Sequence, residues 1–323
     1  MPADLSAADS EEVVAAVRAM EAANRNLETA EGREAGASLQ CGPEDIMVVS
    51  PPKCGTTWLC QIVHMLRSGG DMSFEEINLV IPCIEMAYDY GMRDMTVQDG
   101  WRPRVYKTHF WHLHCPKGAG RYLFITRDPL DAGPSFYHFL QGWIFDEGAL
   151  SMQDFLTHFW LRRGEPASLL DNASHWHTMA SWYPHRNEPN VLWLHYEDLQ
   201  QDLPAAVKLI AGFLGLGADD PELQALTVER SSIGYMKQFP EKYNEHMQKL
   251  ARNEACGRPK EAGLHIGKVR SGKSNRHELS PELRVAIQEK WEEVMLPVTG
   301  YKTYDEMRHG INSELGRPWA QSK

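Results

Sequence analysis

The sequence predicts an α/β fold, a doubly wound central parallel β-sheet flanked by helices, and three observations carry that expectation. Four short runs, "DIMVVS", "RVYKTH", "RYLFIT" and "NVLWLHY", are apolar nearly throughout, as strands covered on both faces of a parallel sheet should be. Longer segments with helical periodicity lie between and after them, and alternating strand and helix is the pattern of an open parallel sheet. Lys53, His109 and Arg127 each stand just beyond the end of such a run, where this architecture binds ligands.

Taken in order, Ser10 followed by "EEVVAAVRAMEAA" reads as a capped amphipathic helix, and "ETAEGREAGASLQCG" as a linker. Residues 1–40 are therefore expected to be an appendage to a main domain over 41–300, with a tail over 301–323. The first strand runs into "VVSPPKCGTTW", where Pro51 and Pro52 end it. The helix "TTWLCQIVHMLRSG" follows, with Trp58, Ile62, Met65 and Leu66 on one face and Gly69–Gly70 as its stop. "LDAGPSFYHFLQGW" continues the third strand as a helix, and "LPAAVKLIAGFLGLG" follows the fourth and ends in glycines. Residues 239–274 are polar and dotted with glycine, a length that suggests a functional flap rather than a passive connection.

Composition narrows the function. The chain has 323 residues, 42% hydrophobic and 24% charged, with a formal net charge of -11. Bulk nucleic-acid binding needs a basic footprint, so any anion must be captured by locally focused donors, which favours a small ligand. Six scattered cysteines lack paired spacing and read as reduced thiols of an intracellular protein. No metal is expected, because no cluster sets likely ligands at metal spacing; His112 and His114 are only two apart on an irregular segment. An acidic N-terminus lacks the basic start of a secretory signal, and no run reaches about 18 apolar residues. The expectation is a cytoplasmic protein that does not span a membrane.

The chemistry gathers at the strand ends. In "PPKCGTTW", Gly55 permits a tight turn, and unpaired N–H groups where Thr56 and Thr57 open the helix form an anion cradle, with Lys53 as a point charge. "YKTHF" sets Lys107 and His109 two apart, so both side chains should point to one side of the strand. Histidine is the side chain best suited to general base work near neutral pH. "TRDPLDAGPSFYHF" supplies Arg127, whose planar fork matches phosphate oxygens, and Ser135 eight residues on. Asp128, Pro129 and Asp131 read as helix-start residues.

This set resembles the cytosolic sulfotransferase family, whose donor is 3′-phosphoadenosine 5′-phosphosulfate (PAPS) and whose nucleotide product is 3′-phosphoadenosine 5′-phosphate (PAP). "PKCGTTW" is similar to the family's Pro-Lys-Ser-Gly-Thr-Thr-Trp loop except at Cys54, and Lys107-Thr108-His109 matches its Lys-Thr-His element. Arg127 and Ser135 match its Arg-x7-Ser element, and Tyr196-Glu197-Asp198 its "YED". "SSIGYMK" resembles the adenine-bordering segment, which would set Ser231 and Ile233 by the base, and "VRSGK" resembles the late Arg-x-Gly loop through Arg270, Ser271 and Gly272. The similarity covers residues 44 to 295, with the elements in the family's order. It implies a phosphate-loop-like sulfotransferase fold and sulfuryl transfer to a hydroxyl or amine of a small-molecule acceptor.

In the roles so implied, His109 takes the acceptor proton, Lys53 neutralises the departing phosphate and Lys107 faces the transferring group. Cys54 to Trp58 hold the 5′-phosphate; Arg127, Ser135 and Arg270 recognise the 3′-phosphate. Cys54 stands where the family has serine, and a cysteine at a helix start should have a lowered pKa. The family's dimer motif near the C-terminus is replaced by "HELSPELRVAIQEKW", which leaves a homodimer open. A phosphate-loop small-molecule kinase is opposed by the missing Lys-[Ser/Thr] after a glycine loop, and an inert nucleotide-binding module by His109, which binding alone would not need. For the acceptor, Tyr88, Phe110, Trp111, Trp143 and Phe145 suggest a phenol or sterol, while Glu85, Asp89 and Asp146 leave room for a cationic one.

Overall fold

A computed structural model describes residues 11–98, 100–269 and 272–321. All four expected strands form: β1 Ile46–Val49, β2 Val105–Thr108, β3 Arg121–Thr126 and β4 Val191–His195. They make one parallel sheet in the order β2-β1-β3-β4, with Val49 opposite both Thr108 and Phe124. Strand order reverses between β1 and β3, so the turns leaving these two strands open onto one crevice.

Residues alternate across the sheet, and both faces are buried. Met47, Val49, Tyr106, Phe124 and Trp193 enter one apolar cluster; Ile46, Val48, Val105, Leu123 and Leu192 enter the other. That two-sided burial is why the strands read as unbroken apolar runs. The helix Thr56–Ser68 lies in the second cluster and is buried nearly all round rather than on one face, because Leu203–Leu214 and Pro221–Arg230 also pack there. The first cluster takes Pro129–Leu140, His175–Trp182 and Pro281–Val294.

Both flanking segments pack against the main domain. The helix Glu11–Arg25 buries Val17, Met20 and Ala23 in the first cluster, and the chain beyond it is held by Arg252, whose guanidinium donates to the Asn26 carbonyl at 2.8 and 3.0 Å. At the other end, Tyr304–Glu314 buries Met307 and Ile311 in the same cluster. Its Arg308 and Asn312 donate to the two carboxylate oxygens of Asp198 at 2.6 and 2.7 Å, and Tyr304 donates to Glu197 at 2.7 Å. The acids of "YED" therefore anchor the C-terminal helix, a partnership that no local spacing signals. The flap after Phe239 contains a helix, His246–Arg252, and closes on itself: the Lys249 amine donates to the carbonyls of Gly263 and Ile266 at 2.6 and 2.9 Å.

Candidate active site

The turn out of β1 builds the cradle. Ser50 and Thr56 are joined hydroxyl to hydroxyl at 2.6 Å, pinning the strand end to the helix start. Between them Lys53 (φ 70°) and Gly55 (φ 94°) are left-handed and curl the backbone. Glycine is needed at 55, since a Cβ there would lie 2.7 Å from Cδ2 of Tyr196. No side chain caps the helix that begins at Thr56, so its first N–H groups stay available to an anion. Trp58 donates from its indole to the Ser231 carbonyl at 2.7 Å and meets Tyr196 edge-on, 5.4 Å between ring centres.

Lys53 and Gly55 to Trp58 line a cavity of about 400 Å³ together with His109, Arg127 and Ser135. Tyr196, Ile233 and Gly272 complete the expected residues on this wall. The size suits a small-ligand site. Arg270 and Ser271 lie outside the described residues.

His109 is held for one task. Its Nδ1 lies 2.9 Å from the Ser50 carbonyl, which only accepts, so Nδ1 carries the proton and Nε2 keeps its lone pair. Burial is the largest influence on the ring and pushes its pKa down to about 4, with Glu85 opposing and Lys107 adding to the shift. The imidazole is therefore neutral at physiological pH. Its backbone N–H and the Thr108 hydroxyl both donate to Oε1 of Glu85, at 2.5 and 2.8 Å, which fixes the end of β2.

Lys107 is not where the strand spacing placed it. It is 1% exposed and off the cavity wall, donating to Asn78 at 3.0 Å and to Glu245 at 3.1 Å. The reason is the segment beside β2: the Lys107 N–H donates to Pro82 and its carbonyl accepts from Ile84, so added chain covers that side of the strand. Lys268 does line the cavity and shares Oε1 of Glu245 with Lys107. It stands 5.4 Å from the centre of the Phe139 ring, over which the Lys53 amine lies at 3.8 Å.

Cys54 also departs from expectation. Its side chain turns away from the cradle and is fully buried, with Sγ 3.9 Å from Nδ1 of His175. Desolvation raises the thiol pKa and outweighs the nearby Arg127 and Lys53, so the helix start does not activate it. Ser231 is likewise buried; its backbone carbonyl, rather than its hydroxyl, reaches the site by accepting from Trp58.

Arg127 stacks its guanidinium 4.3 Å from the centre of the Tyr196 ring and donates to the Lys53 carbonyl at 3.4 Å. Its Nε is buried without a partner, and it forms no ion pair with a carboxylate among the described residues. An unmatched guanidinium beside a backbone cradle fits a phosphate-bearing ligand.

A family model described as "Sulfotransferase domain" matches residues 43–299, most of the chain. The chain belongs to the sulfotransferase family. It is 25% identical to an amine sulfotransferase of Oryctolagus cuniculus over 239 residues, 72% of this chain and 75% of that one. It is 28% identical to sulfotransferase 1B1 of Canis lupus familiaris over 213 residues, 61% and 68% of the two chains. Among solved structures it shares its fold with mouse sulfotransferase SULT7A1 complexed with PAP, at TM-score 0.59 and 22% identity over 83% of this chain and 90% of that one. It shares it also with retinol dehydratase in complex with androsterone and PAP, at TM-score 0.60 and 18% identity over 80% and 82%.

In this sulfotransferase the helix start after β3 has a second duty. Asp128 caps the helix by accepting from the Leu130 N–H at 2.8 Å, and its other oxygen takes Arg276 at 3.1 Å. Asp131 takes Arg276 at 2.5 Å and the Ser274 hydroxyl at 2.6 Å. These bonds hold the loop after Gly272 to the helix start, with Gly272, Lys273 and Asn275 on the cavity wall. Sequence reasoning did not single out Arg276, nor Lys268 and Glu245 within the 239–274 segment it read as a functional flap, and it missed Asn24, Leu27 and Glu28, which bring the N-terminal segment onto the cavity wall. The apolar spacing of Val17, Met20 and Ala23 was the available signal that this helix docks. Among the described residues no group of three or more His, Cys, Asp or Glu could hold a metal ion, and no helix is long and apolar enough to cross a membrane.

Proposed function

We propose that this sulfotransferase binds PAPS and transfers its sulfuryl group to a hydroxyl or amine of a small-molecule acceptor, with His109 as the general base and PAP as the nucleotide product. The observation that carries the reading is the His109 tautomer: Nδ1 is committed to the Ser50 carbonyl, and the ring lines the same cavity as the Gly55 cradle. When bound, the donor supplies an activated sulfuryl group whose bond to phosphate oxygen breaks as the acceptor atom bonds to sulfur. Every remaining task falls to this chain. The N–H groups of Gly55 to Trp58 hold the 5′-phosphate, and Lys53 balances the charge that grows there on departure. Arg127 and Ser135 grip the 3′-phosphate, which fits the partnerless Nε. Nε2 of His109 takes the proton of the attacking hydroxyl or amine. Lys107 acts at one remove, holding Glu245 and through it Lys268 on the wall.

His109→Ala tests the assignment. Calorimetry should find PAP affinity within threefold of the unsubstituted protein, while turnover falls by about 10²–10⁴. Turnover within tenfold would remove His109 from the base role.

A further inference from the structure

The cavity wall carries a guanidinium, Arg163, that no carboxylate among the described residues reaches at ion-pair distance. Glu28 and Arg163 both line the cavity, and the Glu28 charge acts on the guanidinium without pairing with it. Glu28 is satisfied from behind the wall by Arg33, which is 3% exposed and ion-paired to it. Arg33 is itself fixed by the Leu169 carbonyl at 2.6 Å and by Oδ1 of Asn172 at 3.1 Å. Arg163 donates one hydrogen bond, to the Asn172 carbonyl at 3.1 Å, and rests on the Phe159 ring at 5.4 Å from its centre. It forms no ion pair among the described residues, which leaves most of its five donors free to meet a ligand in the cavity it lines.

The acids that would have welcomed a cation are engaged elsewhere. Glu85 is 1% exposed and holds Thr108 and His109. Asp89 accepts from the Thr29 N–H at 2.9 Å and from its hydroxyl. Asp146 stands on the surface, its side chain 77% exposed, and pairs with Arg258. None of the three lines the cavity. The same cavity has an extensive apolar lining, with Leu27, Met86, Phe136, Phe139, Leu140 and Trp143.

We propose that the acceptor is a carboxylate on an apolar scaffold, received by Arg163, with the hydroxyl or amine to be sulfated at the opposite end beside His109. This rests on the reading of the His109 end as the point of transfer. A planar guanidinium receives a carboxylate through two parallel hydrogen bonds, and a neutral acceptor of the same shape leaves the cation unmatched, so discrimination follows.

The test is calorimetry on the PAP-loaded protein with matched pairs: 3-(4-hydroxyphenyl)propanoate and its methyl ester, and 12-hydroxydodecanoate and its methyl ester. At least one acid should bind ten times more tightly than its ester. In Arg163→Met that ratio should fall below two, and Arg163→Lys should restore part of it. Esters that bind as tightly as the acids, a ratio that persists in Arg163→Met, or no binding by any of the four overturns the proposal. The ratio in the unsubstituted protein decides by itself should the Met variant not fold. Failure of the underlying reading looks different: His109→Ala would keep turnover within tenfold. If PAP binds and an ester is sulfated in preference to its acid, only the carboxylate inference falls.

Discussion

One cavity has two walls, built in different ways. The wall proposed for the donor draws on short contiguous stretches at the ends of β1, β3 and β4, and its cradle is backbone: an uncapped helix start and a left-handed Gly55. The wall proposed for the acceptor gathers single side chains from Leu27, Met86, Trp143, Arg163 and Glu245, segments far apart in the sequence. Backbone cradles are fixed by local residue type, glycine above all. Side-chain walls depend on which distant helices and loops happen to meet. The first wall can therefore be written as a motif and the second cannot.

Substitutions at Lys107 and Gly55, and the pH profile set by His109, can break or sharpen that contrast. The largest stability effect is expected at Lys107, which local spacing assigned to the donor wall and the tertiary packing moved into a buried pair with Glu245. Lys107→Met should lower stability by about 3 kcal/mol in urea unfolding, because it removes one partner of a buried ion pair. A loss below about 1 kcal/mol would mean that the pair is not structural. Gly55→Ala should cost about 1–2 kcal/mol for the left-handed residue alone. The clash with Tyr196 should also weaken PAP binding, read by calorimetry. Unchanged PAP affinity would show that the cradle does not need this turn.

The smallest effect is a displaced pH limb. The His109 pKa is lowered to about 4, so the ring stays in its proton-accepting form from neutral pH down to about pH 5. The acid limb of kcat/KM should then fall near pH 4 rather than near the ordinary histidine value. A limb near 6.5 would place His109 in water. The linkage has the same sign: the folded state binds its proton less readily than the unfolded chain. This contribution to stability is present above pH 6.5 and is lost as the pH falls through about 4. His64 and His175, each lowered to about 3 by burial, add to acid sensitivity in the same direction.

Much of the fold was legible because two-sided burial leaves an unmistakable trace: each of the four strands is buried along nearly its whole length, and each reads as an apolar run. Lys107 was misplaced for a physical reason. Period-two alternation says which side of a strand a residue occupies, but not whether Pro82–Ile84 will cover that side. Cys54 was misread similarly, since proximity to a helix start lowers a thiol pKa only when the sulfur faces the N–H groups, and here it faces the core. The N-terminal residues were set aside because "ETAEGREAGASLQCG" reads as a linker, and only the fold shows its Glu28 and Arg33 paired.

The order of strands and helices, the cradle glycine and the presence of a histidine and an arginine at strand ends were determined by the sequence alone, because each follows from the conformational or chemical limits of a few neighbouring residues. Which lysine reaches the cavity, which thiol stays inert and which guanidinium is left without a carboxylate were decided only by the tertiary structure. Charge pairing and desolvation depend on partners more than a hundred positions away, such as Lys107 with Glu245 and Arg33 with Asn172.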